Sequence, residues 1–180
     1  AFTGSRWVFG SAEGHYPRAS FPGPGGLLIV SSTGGVHDGN QGLATTIGSS
    51  GEVAIDPVNG DILYPDGDAW IARSTSGTAG VYRDRCATAT APTQSCYPVD
   101  GMVVVSMVVG RDRQLYLSDG HAVVRRPLDA PDIGWEPVAS GFSALSRLEM
   151  DTHDGLPRLW MNDQGLVWAG VIGDTLPLAR

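Results

Sequence analysis

The chain has 180 residues, of which 25 are glycine and 12 are proline, the two residue types that disfavour the interior of a helix. The longest stretch free of both is residues 142–154, which excludes coiled coils, helical bundles and helical repeats and predicts a mostly β protein. The net charge of −7 opposes phosphate backbones and anionic membrane surfaces, so nucleic acid is not expected as a partner.

The length favours a single domain over residues 1–180, which can bury roughly 70% of its unfolded surface. The longest apolar run, residues 102–109, contains Ser106 and is shorter than the roughly 18 residues that a membrane span needs, so no membrane span is expected. The chain begins at Ala1 without methionine, as expected after removal of a signal peptide or after excision from a larger protein.

Residues 1–50 are the least regular part of the sequence. Two short apolar segments, residues 6–9 and 27–30, have the composition of strands and are separated by glycine, proline and polar residues. We interpret this region as a divergent unit of the same kind as those that follow.

Three later segments share one order of features: a short apolar strand, an acidic or glycine turn, an aromatic strand, an Asp-Gly type turn and a third strand. Their aromatic positions are Tyr64, Tyr116 and Trp160, which we expect to be equivalent. The predicted strands are residues 53–56, 62–64 and 69–73 in the first segment, 103–109, 115–117 and 122–125 in the second, and 148–151, 159–161 and 166–169 in the third.

Each segment predicts an antiparallel meander, because Asp-Gly suits tight hairpin turns and β-branched and aromatic residues suit half-buried strands. Weak fourth strands follow at residues 79–83, 134–139 and 175–178. Four strands are the anatomy of a propeller blade, and one blade alone cannot bury both of its faces. The predicted fold is an all-β, β-propeller-like stack of about four blades, closed or incomplete, in units 1–50, 51–100, 101–140 and 141–180.

One stretch supports this fold by its detailed pattern. Residues 39–73 contain a glycine-rich lead, the segment Gly-Glu-Val-Ala-Ile-Asp at 51–56, Gly60, Tyr64 and the segment Ile-Ala-Arg at 71–73. This pattern resembles NHL-type and related β-propeller repeats. Such proteins mostly serve as binding platforms for proteins, glycans or nucleic acids, with some hydrolases and lyases among propellers, and the fold alone does not choose between these roles.

Cys86 and Cys96 are the two cysteines, separated by nine small or polar residues. This spacing predicts a disulfide-closed loop, which would remove on the order of 3 kcal/mol of chain entropy from the unfolded state. Two free thiols or half of a metal site are the alternatives, although the spacing fits no C-x-x-C pattern. A disulfide would indicate export to a secreted, periplasmic or cell-surface location.

Asp56, Asn59 and Asp61 offer clustered oxygen ligands of the kind that Ca²⁺ prefers. Asp66 with Asp68 and Asp151 with Asp154 are further candidates, and none of these groups reproduces the order of an EF-hand loop. The competing interpretation is that turns favour aspartate and asparagine whether or not a cation binds.

Motifs specific to an activity are absent: the sequence contains no G-x-S-x-G elbow, H-E-x-x-H helix or Walker A loop. His121 and His153 lie beside acidic residues and are interpreted first as residues of surface turns. For ligand binding, we expect Trp135 to be an exposed platform for a sugar ring or a protein, with Tyr64 and Tyr116 as further candidates.

These features favour an exported, non-catalytic binding or assembly module that recognises protein or glycan or forms a subunit of an extracellular structure. Open blade edges would allow homo-oligomers to form. The alternative is a secreted hydrolase whose acidic residues line a propeller axis. Calcium is the candidate cofactor.

Overall fold

The computed structural model describes residues 17–22, 28–32, 35–38, 42–45, 52–74, 86–153 and 156–171; within residues 17–45 it describes strand backbones. All regular elements in these ranges are β-strands, which confirms the expected all-β class. The strands form antiparallel sheets of three or four strands, and the strands of each sheet pair in sequence order.

Four sheets follow one another along the chain. Sheet 1 contains β1 (Pro17–Pro22), β2 (Leu28–Ser32), β3 (Gly35–Asp38) and β4 (Gly42–Thr45). Sheet 2 contains β5 (Ala54–Ile55), β6 (Ile62–Asp66), β7 (Trp70–Ser74) and β8 (Cys96–Pro98). Sheet 3 contains β9 (Ser106–Val109), β10 (Gln114–Ser118), β11 (Ala122–Pro127) and β12 (Glu136–Ser140). Sheet 4 contains β13 (Leu145–His153), β14 (Leu156–Asp163) and β15 (Leu166–Val171).

The predicted Asp-Gly sites connect the second and third strands of sheets 2 and 3. Gly67 and Gly120 have φ angles of 67° and 97°, in the left-handed region that glycine enters without the steric cost that a Cβ atom brings. Beside the second turn, the carboxylate of Asp119 accepts hydrogen bonds from the backbone N–H groups of His121 and Ala122, both at 2.8 Å. These local interactions fix where each strand reverses and hence the strand register.

The core lies between consecutive sheets. Leu63 of sheet 2 packs in one cluster with Leu115 and Leu117 of sheet 3, and all three side chains have 0% exposure. The other face of sheet 3 packs on sheet 4, where Tyr116 and Leu159 share a second cluster. The first strands of these sheets lie side by side, since β9 contacts both β5 and β13. Each leucine buried in this way stabilises the fold by about 1.5–3 kcal/mol.

The three aromatic residues expected to be equivalent do not share one orientation. Tyr64, Tyr116 and Trp160 all lie on the second strand of their sheet. Tyr116 points toward sheet 4, whereas Tyr64 points away from sheet 3, into a different cluster. Tyr64 lies two residues before the aspartate of its turn and Tyr116 lies three before, so alternation along the strand places them on opposite faces. The expected equivalence was therefore wrong for Tyr64.

The fourth strands differ in how closely they follow the prediction. Residues 134–139 correspond to β12, and residues 27–30 correspond to β2. The predicted strands at residues 6–9, 79–83 and 175–178 lie outside the described residues. In sheet 2, the fourth strand is β8, which pairs with β7 and places Tyr97 opposite Ile71.

Cys86 and Cys96 form a disulfide bond, with Sγ atoms 2.15 Å apart and Cα atoms 5.7 Å apart, which confirms the prediction. Cys96 belongs to β8 and lies opposite Ala72 of β7. The backbone N–H of Cys86 donates a hydrogen bond to the carboxylate of Asp66, at the end of β6. Both ends of the disulfide loop are thereby attached to sheet 2.

Candidate functional site

A polar cluster joins sheet 2 to sheet 3 where the turns after β5 and β9 meet. Asp56 follows β5 and is completely buried. Its Oδ1 accepts the backbone N–H of Val58 at 3.0 Å, and its Oδ2 accepts a hydrogen bond from Nη1 of Arg113. Arg113 lies in the β9–β10 turn. A buried carboxylate is costly without such a partner, so this ion pair couples the two turns.

Arg73, on β7, is the second cation of the cluster. Its Nε and Nη2 atoms lie 2.8 and 2.7 Å from Oδ2 of Asp61. Its Nη1 donates to the hydroxyl of Tyr97 at 3.3 Å, and that hydroxyl donates to the carbonyl oxygen of Leu128 at 2.9 Å. The network therefore extends from sheet 2 to the end of β11.

Asp129 completes the cluster at its solvent side, where 62% of its side chain is exposed. Arg113 donates two hydrogen bonds to this carboxylate, from Nε to Oδ2 at 3.0 Å and from Nη2 to Oδ1 at 2.7 Å. The hydrogen bonds from Arg113 hold the pKa of Asp129 below its ordinary value. The same carboxylate, together with Asp56, raises the pKa of Arg113 despite partial burial. The guanidinium thus stays charged and holds two carboxylates at once.

The predicted calcium ligands lie within this cluster. Asn59 donates its amide to Oδ2 of Asp61 at 2.9 Å and accepts the backbone N–H of Asp61 at 2.9 Å, an arrangement typical of an Asx turn. The carboxylates of Asp56 and Asp61 are bound by Arg113 and Arg73. Among the described residues, no group of three or more His, Cys, Asp or Glu side chains is arranged to hold a metal ion. In this arrangement the carboxylate oxygens face arginine, and a cation at the same place would meet like charge.

Among the described residues, Arg126 is the largest fully buried side chain, with 1% exposure. Its guanidinium carbon lies 5.3 Å from the ring centroid of Tyr97 and 5.0 Å from that of Trp135. Its Nη atoms donate to the carbonyl oxygens of Pro98, Pro131 and Ile133, at 3.2, 2.6 and 2.9 Å respectively. Burial lowers the pKa of Arg126, and the aromatic rings and carbonyl dipoles offset part of that cost.

The three candidate ligand-binding aromatics are placed as follows. Tyr64 and Tyr116 have 1% and 0% exposure, and their rings belong to the core. Trp135 is half-buried, and its Nε1 donates to the carbonyl oxygen of Pro98 at 2.8 Å. The expectation of an exposed Trp135 was therefore wrong: the indole covers Arg126 and has its N–H engaged.

The histidine whose contacts the structure describes is His121. Its Nδ1 lies 3.2 Å from the carbonyl oxygen of Phe142, in the connection from sheet 3 to sheet 4. The backbone carbonyl of His121 also accepts the N–H of Phe142 at 3.1 Å. The side chain of His153 lies outside the described residues. His121 thus helps to join two loops.

The last strand of sheet 4 presents a different surface. Leu166 and Val167 are 62% and 66% exposed. Trp168, between Val167 and Ala169, packs edge-to-face on Phe142 with ring centroids 6.3 Å apart, and its buried Nε1 meets no acceptor among the described residues. Sheet 4 has three strands within the described ranges, so the outer edge of β15 carries backbone groups that no described strand pairs.

The sequence pattern indicates Asp56 and Asp61 of the polar cluster, but it does not indicate Asp129 or the arginines. Arg73 belongs to the repeat pattern of residues 39–73, whereas no repeat or motif marks Arg113 or Arg126. The sequence does contain one general indication of these pairs. All 12 of its basic residues are arginine, and arginine suits buried ion pairs because its guanidinium can bind two partners at once.

Comparison with known proteins shows a similarity of fold and no similarity of sequence. No protein-family model and no curated protein matches this sequence. Among the described residues, none of the elements is a helix of the length and apolarity that crossing a membrane requires. A solved structure, the extracellular domain of a hybrid two-component system from B. thetaiotaomicron, is similar with a TM-score of 0.50 and 9% identity. The match covers 86% of this chain and 21% of that one, so this chain corresponds to a small part of the neighbour's length.

Proposed function

We propose that this protein is an exported, non-catalytic module of β-propeller type that binds or assembles by adding a partner strand to β15. The observation that carries the proposal is the outer edge of β15 (Leu166–Val171). This strand has six residues, none of them charged and none proline, and two of its side chains are more than 60% exposed. A long, apolar edge of this kind is a template for another strand.

The outer strands of the neighbouring sheets are protected against strand addition. β12 begins with Glu136 and Pro137, and a charge and a proline at an edge both disfavour pairing. β8 has three residues and ends in Pro98. The contrast between these strands and β15 supports a specific role for the edge of sheet 4.

The arrangement of the sheets supports the propeller assignment. Sheets 2, 3 and 4 are meanders that pack face to face in chain order, with their first strands in contact. The β5–β7 region carries the residues that resemble NHL-type repeats. Export is supported by the disulfide bond and by the extracellular origin of the structural neighbour.

A protein strand is a better ligand for this molecule than a glycan. Tyr64 and Tyr116 are buried, and Trp135 is committed to Arg126, so these rings offer little free stacking surface. The edge of β15 instead offers backbone donors and acceptors, which recognise any extended chain with apolar side chains at alternate positions.

The test uses a fluorescent peptide that carries the sequence of residues 166–171 between short soluble flanks. We expect the peptide to bind the whole chain, as measured by fluorescence anisotropy, and to bind Val138→Lys equally well. Val167→Lys should abolish binding, because a lysine on the edge opposes strand addition. Val138 is also exposed and lies on a strand, β12, so Val138→Lys is a control that adds the same charge to a similar position. Absence of binding to the monomeric chain, or equal binding to both variants, would overturn the proposal.

A further inference from the structure

We propose that the strand added to β15 is β15 of a second copy of this chain, so that two copies pair antiparallel about a two-fold axis at Ala169. This inference rests on the proposed function, because it names the partner of the same edge. A symmetric dimer brings the same patch of both copies together, so the patch must be complementary to itself.

The sequence of β15 meets this requirement. With Ala169 on the axis, Val167 of one copy lies opposite Val171 of the other, and Trp168 lies opposite Gly170. Opposite residues then point to the same side of the joined sheet, as an antiparallel pair requires. Two β-branched side chains meet on one side, and an indole lies over a glycine on the other, so these cross-strand pairs are all apolar.

Two further features of the strand fit this occupant. Val167 and Ala169 are both exposed and point to the face of sheet 4 opposite the core, where Val171 and Ala169 of the second copy would contact them. Trp168 packs on Phe142 on the opposite face, toward the core, so the strand can pair at its edge without displacing this contact.

Charge makes the association dependent on salt. Each copy carries a net charge of −7, so two copies repel one another at low ionic strength. The pairing residues themselves are uncharged. Salt screens the repulsion and leaves the apolar contacts in place, so the dimer should become tighter as salt is added.

Sedimentation equilibrium of the whole chain tests the inference. We expect a reversible dimer whose dissociation constant falls with added salt. Val167→Lys should be monomeric at concentrations where the unaltered chain and Val138→Lys are dimeric. A monomer at all concentrations and salt levels would overturn the inference.

Disulfide trapping tests the register. Ala169→Cys places two thiols opposite each other across the axis, at the separation of directly paired residues, which a disulfide can bridge. Mild oxidation should yield a covalent dimer of Ala169→Cys and leave Val138→Cys monomeric. Equal yields from the two variants would contradict pairing through β15.

The peptide experiment separates failure of this inference from failure of the proposed function. A monomeric chain that binds the β15 peptide would overturn the second copy as occupant and keep β15 as a strand acceptor for another protein. A monomeric chain that does not bind the peptide, with slow hydrogen exchange along β15, would overturn both and indicate that the edge is paired within its own chain.

Discussion

Arg113 donates a hydrogen bond to the carboxylate of Asp56, a side chain with 0% exposure that lies 57 positions earlier in the chain. The two residues belong to turns of different sheets, and their pairing is one of the contacts that hold sheet 2 against sheet 3. The bidentate contact of Arg113 with Asp129 restrains the guanidinium further. The polar cluster therefore joins sheet 2 to sheet 3, at the position where the sequence alone suggested a calcium site.

Removal of Arg113 should destabilise the protein strongly. In Arg113→Met, the buried carboxylate of Asp56 loses its hydrogen-bonded partner, and we expect the free energy of unfolding to fall by about 3 kcal/mol. Arg147→Met is the control, because the pair of Arg147 with Glu149 is exposed and should contribute at most about 0.5 kcal/mol. Urea denaturation of both variants measures the difference. Equal effects would show that the Asp56 contact adds little to stability.

Replacement of Trp135 by alanine should reduce stability. The indole covers the guanidinium of Arg126 and donates a hydrogen bond to Pro98, so Trp135→Ala should lower the free energy of unfolding by roughly 2 kcal/mol. Val138→Ala, at an exposed position of β12, should change it by less than about 0.5 kcal/mol. Thermal and urea unfolding provide the measurement. An unchanged stability of Trp135→Ala would restore this residue as a candidate for ligand binding.

Reduction of the disulfide should weaken the fold. The Cys86–Cys96 bond closes a loop with a sequence separation of 10, which predicts a loss of about 3 kcal/mol on reduction if the effect is mainly on the unfolded chain. The unreduced, denatured protein should contain no reactive thiol in a thiol titration. Two reactive thiols would contradict the disulfide and remove one support for export.

Alkaline pH should destabilise the protein through its buried tyrosines. Burial raises the pKa of Tyr97, and burial together with the hydrogen bond to Asp112 raises the pKa of Tyr116. Because the unfolded chain ionises at its ordinary pKa near 10 and the folded chain ionises later, stability is retained below about pH 10 and falls as the pH rises above it.

Absorbance of tyrosinate, followed together with circular dichroism, measures this effect. The buried tyrosines should ionise only as the fold is lost, and Tyr116→Phe should reduce the pH dependence of unfolding above pH 10. Ionisation of all tyrosines while the protein stays folded would contradict the prediction.

Strand positions could be predicted well where the signal is local. Gly67 and Gly120 occupy turns whose backbone conformation favours glycine, and the apolar strands on either side alternate as a half-buried sheet requires. The single pair of cysteines in a loop of small residues was likewise sufficient to predict the disulfide.

The candidate site could not be predicted to the same degree. Asp56 and Asn59 form Asx-type contacts with their own turn, as the sequence suggested. The residues that neutralise the carboxylates of Asp56 and Asp61 are Arg113 and Arg73, at other places in the chain. Tyr64 is one residue closer to the aspartate of its turn than Tyr116 is. Because side chains alternate between the two faces of a strand, this difference places the two rings on opposite faces.

Composition, turn residues and cysteine spacing by themselves determined an all-β protein of meander sheets with one disulfide, because glycine, proline and Asp-Gly act on the backbone within a few residues. Only the tertiary structure decided which sheets pack together, that Arg113 and Arg126 are bound by partners within the fold, and that no described strand pairs with the outer edge of β15. The reason is that ion pairs between sheets, cation–π contacts and edge exposure depend on the distance between elements in space, which no local pattern of residues encodes.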